Sequence, residues 1–311
     1  MNRALTLTLP LVALALVAGG CGGGGKTAAT TSSSSAAPAA RSGGAVTAPA
    51  VTKDATIAAM VPAKIKSKGT LTVATDATYP PDEFIGSNGK TVVGWDPELV
   101  QALAQIMGLK AHVVNASFAT IIPGLQSGKY DVGASSFGDT KERQKVVDFV
   151  TYFQAGASFY VNAQGGPTIN TLADLCGHTV AVETGTTELD DATGQNKKCK
   201  SQGKPGVTVH AYPDQNAANL AIASGRAQVG IADSPVAAYI VKQSNGKFKL
   251  VGKPYAVVPY GIALPKGNGL AKPMLAAVEK LMSNGTYLKI LKQWGVQGGA
   301  ITNPKINGAI S

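Results

Sequence analysis

Hydrophobic and polar positions alternate in blocks along this chain, and the blocks read as strands and helices in turn. Leu71 to Thr75 is a β-rich apolar run that stops at Asp76. Asp96 then has the character of a helix N-cap, with Pro97 at the first helical position. Leu99, Val100, Leu103, Ile106 and Met107 fall on one face before Gly108 stops the helix. His112 to Val114 is the next predicted strand, Phe118 through Leu125 a helical stretch closed by Gly128, and Val132 to Ser135 a third strand. The order repeats with strands over Thr179 to Val182 and Val207 to His210, a helix capped by Asp214 and ended by Gly225, and a strand over Val229 to Ile231. This alternation predicts an α/β fold of parallel-type sheets flanked by helices.

One internal echo refines that expectation. Leu125, Ser127, Gly128, Lys129, Val132 and Gly133 recur at identical spacing as Ile222, Ser224, Gly225, Arg226, Val229 and Gly230. Two lobes of the same local construction would produce this, although chance similarity between helix stops would too.

The N-terminus has a different character. Arg3 precedes an apolar stretch from Ala4 to Val17, followed by Ala18, Gly19, Gly20 and Cys21. This is the pattern of a secretory signal peptide over residues 1–20, too short for a spanning helix of about 20 apolar residues. The small residues before Cys21 resemble the lipobox of bacterial lipoproteins, with Ala18 where such boxes more often carry Leu. That resemblance implies that Cys21 is acylated and anchors the mature protein to the outer face of the cell membrane, each buried methylene contributing roughly 0.8 kcal/mol. From Gly22 to about Val51 the chain is Gly, Ser, Thr, Ala and Pro and lacks the apolar residues of a core. We expect a disordered tether over residues 21–62.

The net charge of +10 comes from scattered Lys and Arg. No basic stripe or aromatic interleaving points to nucleic acid, and solvation beside an anionic membrane or cell wall is the more economical reading. With Cys21 committed to lipid, Cys176 and Cys199 form an even pair in an oxidising compartment and should be joined in a disulfide. A metal site or a thiol nucleophile is disfavoured, because no second metal-spaced pair exists.

The most specific stretch runs from Ile121 through Gly128-Lys-Tyr-Asp-Val-Gly-Ala-Ser-Ser-Phe-Gly-Asp-Thr-Lys-Glu-Arg143 to Asp148-Phe149. It resembles the polar-amino-acid family of extracellular solute-binding proteins that serve ABC importers. The resemblance continues in Thr75-Asp76-Ala-Thr-Tyr79-Pro80, Val93-Gly-Trp-Asp96, Val182-Glu-Thr-Gly-Thr-Thr187, Gly225-Arg226 leading to Asp233, and Lys292-Gln-Trp-Gly295. It implies a two-lobed periplasmic-binding-protein type II fold with two mixed sheets and a double-strand hinge. One lobe would comprise residues 63–153 and 259–311, the other residues 154–258, with crossings near Ala155 and Pro259.

An amino-acid ligand offers a carboxylate and an ammonium whose solvating water must be replaced when a cleft closes. Arg143 supplies a planar donor fork suited to the carboxylate. By resemblance it is the carboxylate clamp, with Ser135, Ser136, Gly138, Thr186 and Thr187 around it, and Asp233 receives the ammonium. Asp76 faces the ligand side chain, Tyr79 and Phe118 form aromatic walls, and Glu183 and Thr184 are further candidate lining residues. Ordinary roles remain open: a solvent-exposed Arg143 near a helix start, a helix-capping Asp233, and core packing for Tyr79 and Phe118. Gly138, Asp139, Asp82 and Gln228 depart from the family pattern. If Asp76, Asp139 and Glu183 face the pocket, they favour a basic side chain. The resemblance implies no cofactor, no metal and no catalysis, and a monomer partnered by a permease and its ATPase. His112, His178 and His210 have no recognisable catalytic spacing. A sensory lipoprotein would bind by the same chemistry, and a dehydratase on the same fold is the enzyme rival.

Overall fold

The computed structural model describes residues 48–310. The expected signal peptide and lipidation at Cys21 lie outside the described residues. Two short helices come first, α1 (Ala55–Met60) and α2 (Ala63–Lys68). Asp54 caps α1 by accepting from the backbone N–H groups of Thr56 and Ile57, donors the helix itself leaves unpaired. Ile57, Ala58 and Val61 are buried, Val51 N–H donates to Gln105 Oε1 at 3.0 Å, and Asp54 pairs with Lys280 at 3.2 Å. The disordered tether expected up to residue 62 is therefore contradicted over residues 54–62. A six-residue helix is too short to declare itself by periodicity, and its contact with the rest of the fold stabilises it.

β1 (Thr70–Thr75) leads into a small antiparallel sheet of β2 (Thr78–Tyr79), β3 (Glu83–Ile85) and β4 (Val92–Val93). Next come α3 (Trp95–Ile106), β5 (Lys110–Asn115), α4 (Phe118–Gln126) and β6 (Val132–Gly133). β1 pairs in parallel with both β5 and β6. α3 begins one residue before the expected cap. Its N-cap is Gly94 at φ 139°, where a Cβ would lie 2.0 Å from the Asp82 carbonyl oxygen. Asp96 is thereby drawn into the first turn and buried, where it accepts from Tyr152 Oη at 2.8 Å and Ser136 N–H at 3.2 Å.

A long strand, β7 (Val147–Asn162), then enters the second half of the fold: β8 (Thr179–Glu183), α5 (Thr187–Ser201), β9 (Thr208–Tyr212), α6 (Gln215–Ala223), β10 (Val229–Asp233) and α7 (Ser234–Gln243). Asp214 caps α6 as expected, accepting from Ala217 N–H. The disulfide Cys176–Cys199 ties the loop before β8 to α5. β11 (Phe248–Pro265) returns along β7, and α8 (Ala271–Ser283) and α9 (Thr286–Trp294) pack on the first half.

The large sheet has the order β5-β1-β6-β11-β7-β10-β8-β9. The two sheets implied by the family resemblance are thus continuous, because β7 and β11 pair antiparallel from Asn162↔Phe248 to Val147↔Pro265. β6 joins this ribbon at Gly133↔Ala263, and β10 joins its other end between Val161 and Ala157. The register slips between Val251 and Tyr255, between Tyr255 and Val258, and between Tyr260 and Gly261. Ladder bonds are weakest at such irregularities, and they fall where the ribbon passes from one half to the other. The sequence echo is also explained: Gly128 (φ 74°) and Gly225 (φ 73°) stop α4 and α6. In the strands that follow, a Cβ on Gly133 would sit 2.8 Å from Ile121 Cγ2, and one on Gly230 would sit 2.1 Å from the Tyr160 ring.

Candidate functional site

A cleft opens where the two halves face each other. Tyr79, Phe118 and Arg143 line it from the first half. From the second come Thr186, Thr187 and Glu188 at the start of α5, Gln215 at the start of α6, and Ile231, Ala232, Asp233 and Val236 at the junction of β10 and α7.

Arg143 sits on a 3₁₀ turn, Arg143–Lys145, whose first N–H donates to Thr140 Oγ1 at 3.2 Å. Its guanidinium donates through Nη1 to Gly138 O at 2.9 Å and through Nη2 to Gly185 O at 3.1 Å. It thus reaches from one half to the other. The group also lies 5.3 Å from the Phe118 ring centroid and 5.5 Å from that of Phe137, two rings stacked 4.4 Å apart. Burial weakens its hold on its proton, an effect opposed by the neighbouring carboxyl groups of Glu188 and Asp233.

Asp233 ends β10 and occupies the N-cap position of α7, yet its side chain makes no capping hydrogen bond. Its carboxyl is held well above the ordinary range, first by burial and then by the Glu188 charge. Glu188 is itself buried, with Thr187 Oγ1 donating to its Oε2 at 3.2 Å. The site therefore confronts one guanidinium with two carboxyl groups, and a zwitterion can complete both sides of that arrangement. Thr186 supplies the N-cap of α5, accepting from Leu189 N–H at 3.3 Å. Gln215 N–H donates to Thr78 Oγ1 at 3.3 Å, tying the halves together beside the cleft, and its amide donates to Tyr160 Oη at 3.0 Å within the second half.

Six expected residues, Arg143, Asp233, Tyr79, Phe118, Thr186 and Thr187, line this cleft. The other four do not. Asp76 accepts from Thr78 Oγ1 at 2.7 Å and from Phe118 N–H at 2.9 Å, so it anchors the start of α4. Ser135 Oγ accepts from Asp76 N–H at 2.8 Å and donates to Glu83 Oε1 at 2.9 Å. Ser136, at φ 51°, turns its hydroxyl to Asp82 Oδ2 at 2.9 Å. Gly138 contributes its carbonyl to Arg143. Thr184, offered as a lining residue, is exposed and donates to Tyr212 O. Asp139 turns to Gln144 Nε2 at 2.7 Å.

The departures from the family pattern are also accounted for. Asp82 accepts from Trp95 Nε1 at 2.6 Å. Gln228 Oε1 accepts from Thr179 N–H at 3.0 Å. Sequence reasoning missed Glu188 and Gln215. Each stands in the first turn of a helix directly after a capped turn, which was the available signal.

The family of bacterial extracellular solute-binding proteins, family 3, matches residues 71–297. This chain belongs to that family. It is 35% identical over 252 residues to the arginine-binding protein ArgT of Corynebacterium glutamicum, covering 81% of this chain and 82% of that one. It is 30% identical over 233 residues to the L-cystine-binding protein TcyJ of Escherichia coli K12, covering 74% of this chain and 84% of that protein. A solved ancestral arginine-binding protein bound to arginine superposes with a TM-score of 0.67 at 39% identity, over 73% of this chain and 98% of that one. The same TM-score is found for an ancestral arginine-binding protein bound to glutamine. These matches establish the type II periplasmic-binding-protein fold and the role of an extracytoplasmic solute-binding protein. Among the described residues, no helix is long and apolar enough to cross a membrane.

Proposed function

We propose that this protein captures an amino acid, most favourably one with a cationic side chain, between its two halves and delivers it to an ABC importer. The observation that carries this reading is that Arg143 from one half and the Asp233 and Glu188 carboxyls from the other meet in one cleft. Arg143 holds the ligand carboxylate. Asp233, supported by Glu188, holds the ammonium, and Tyr79 and Phe118 cover the side chain. Contacts drawn from both halves favour the closed state, since a ligand shifts an equilibrium only by binding one state better. The register slips in the β7–β11 ribbon provide the hinge. The relatives named for arginine and cystine support an amino acid as ligand. Acylation of Cys21 would keep the protein beside its permease at the outer membrane face. Transport is favoured over sensing by the same family membership.

A thermal-shift screen of the purified protein against the amino acids tests this. A ligand that binds only the native state raises the midpoint with the logarithm of its concentration. We expect a shift with arginine or a related amino acid, and in Arg143→Ala a loss of at least about 100-fold in affinity, because charge-assisted hydrogen bonds contribute about 1.5–3 kcal/mol each. No shift with any amino acid would overturn the reading.

A further inference from the structure

The match to the solute-binding family ends at residue 297, and the described chain continues to residue 310 along an edge of the first half. There β7 pairs with β11 on one side. On the other side the C-terminal segment runs antiparallel to it, with Ala300 opposite Phe153 and Ile306 opposite Val150. Thr151 N–H donates to Lys305 O at 2.9 Å, and Lys305 N–H donates to Thr151 Oγ1 at 2.8 Å. Ala300 and Ile306 pack against the core of the first half. Without this segment β7 would present a row of unpaired N–H and C=O groups. Asn307 adds further bonds: its N–H donates to Phe149 O at 2.9 Å, its Oδ1 accepts from Phe149 N–H at 2.8 Å, and its Nδ2 donates to Asp148 Oδ1 at 3.0 Å. It does so at φ 54°, a left-handed conformation that Asn tolerates better than most residues. Asp148 and Phe149 stand near the start of β7, just after the Arg143–Lys145 turn. Asp139, just before that turn, is fully buried. Burial raises its carboxyl, and Gln144, the backbone N–H groups of Gly308 and Ala309, and the Arg143 charge oppose that. The segment thus meets the chain on both sides of Arg143.

We propose that residues 300–310 form a strap that fixes the Arg143 turn for ligand capture, with Asn307 as the positioning residue that fastens it. This rests on the amino-acid reading above, in which Arg143 holds the ligand carboxylate. The guanidinium is bonded to Gly138 O and Gly185 O, so its place depends on the backbone on either side of its turn. On the near side Asp139 N–H donates to Pro259 O at 2.7 Å. On the far side the turn is held by the start of β7, whose outer edge the strap covers. With the strap released, the start of β7 opens locally while the rest of the half stays folded. The guanidinium then samples more positions, and a ligand must order it on binding, which lowers affinity. Asn307 does not line the cleft and acts only through Arg143.

The test compares the purified protein with Asn307→Gly, which suits the left-handed backbone but removes both side-chain bonds, and with a chain ending at Gly299. Asp54→Ala is the control, since it removes the α1 cap and the pair with Lys280 but touches nothing in the cleft. Each protein is titrated with L-arginine, or with the amino acid that the thermal-shift screen returns, and its backbone hydrogen exchange is followed without ligand. We expect affinity to fall about fivefold in Asn307→Gly and at least about tenfold in the shortened chain, with faster exchange over residues 139–149 in both. Asp54→Ala should lose stability yet keep wild-type affinity and wild-type exchange over those residues. A segment that only sealed the edge of β7 would alter stability and leave affinity alone. An affinity loss in Asn307→Gly no greater than in Asp54→Ala, or a loss without faster exchange over residues 139–149, overturns the proposal and leaves the amino-acid reading intact. Failure of the wild type to bind any amino acid overturns both. Should the shortened chain fail to fold, Asn307→Gly decides alone.

Discussion

Two sets of carboxyl groups, one sealed inside the first half and one on the cleft between the halves, are treated differently. Asp82, Glu83 and Asp96, all in the first half, are fully buried but met by uncharged donors: Trp95 Nε1 and Ser136 Oγ on Asp82, Ser135 Oγ on Glu83, Tyr152 Oη and Ser136 N–H on Asp96. Asp233 and Glu188 line the cleft between the halves instead, where their charges act on the Arg143 guanidinium. The first set takes its donors from within one half and, through Ser136, anchors the loop that leads to Gly138 and Arg143. The second set faces the cleft, and in the function we propose a ligand ammonium completes it. Burial alone does not mark a ligand site; carboxyl groups that face an opposite charge across a cleft are the stronger sign.

The comparison can be broken or sharpened by experiment, beginning with the largest effect. Burial raises Asp82 to about 7 and Asp96 to about 6. Because the folded state then binds more protons than the unfolded chain, stability falls as pH rises from the ordinary carboxyl range through these values. We expect wild type to lose on the order of 2–3 kcal/mol between pH 5 and pH 8 from Asp82 alone, and Asp82→Asn to remove most of that loss without changing ligand affinity. Denaturant titrations at the two pH values check this. An Asp82→Asn protein with unchanged pH dependence would show that the sealed set is not the titrating one.

Asp233→Asn should behave in the opposite way. Losing a charge-assisted bond to the ammonium costs about 2 kcal/mol, roughly 30-fold in affinity, while the unfolding midpoint stays level or rises, because Asn removes the cost of ionising a carboxyl beside Glu188. Direct titration with the ligand and a thermal melt read the two quantities separately. Ser135→Ala gives the smallest effect and tests the first set alone. It strips Glu83 of a donor and Asp76 N–H of its acceptor, so we expect ~1 kcal/mol of destabilisation, measured by denaturant unfolding, with ligand affinity moved less than by Asp233→Asn.

Much of the fold was legible because its elements obey local rules. The helix stops at Gly128 and Gly225, the Asp214 cap and the parallel strand runs are local events, set by a left-handed φ, a side-chain acceptor and an apolar period. The start of α3 was misread because Asp96-Pro97 carries a strong capping pattern. The close approach of the Asp82 backbone to Gly94 decides that boundary, and nothing within the helix sequence records it. α1 was assigned to the tether for a similar reason, since its stability lies in contacts with α3 and α8.

The candidate site divides along the same line. The residue types at Arg143, Asp233, Tyr79, Phe118, Thr186 and Thr187 announced their chemistry, and all six line the cleft. Asp76, Ser135 and Ser136 carry equally suggestive side chains, but those groups are turned into the protein by hydrogen bonds to residues 40 or more positions away. The order of strands and helices, the cysteine pair and the identity of the charged groups follow from the sequence by itself, because each depends on near neighbours or on composition. Which carboxyl finds a donor and which is left facing the opposite half depends on how the ribbon of β7 and β11 brings distant segments together. Only the tertiary structure decides that, because hydrogen bonding and desolvation act at a few ångströms and sequence distance does not measure them.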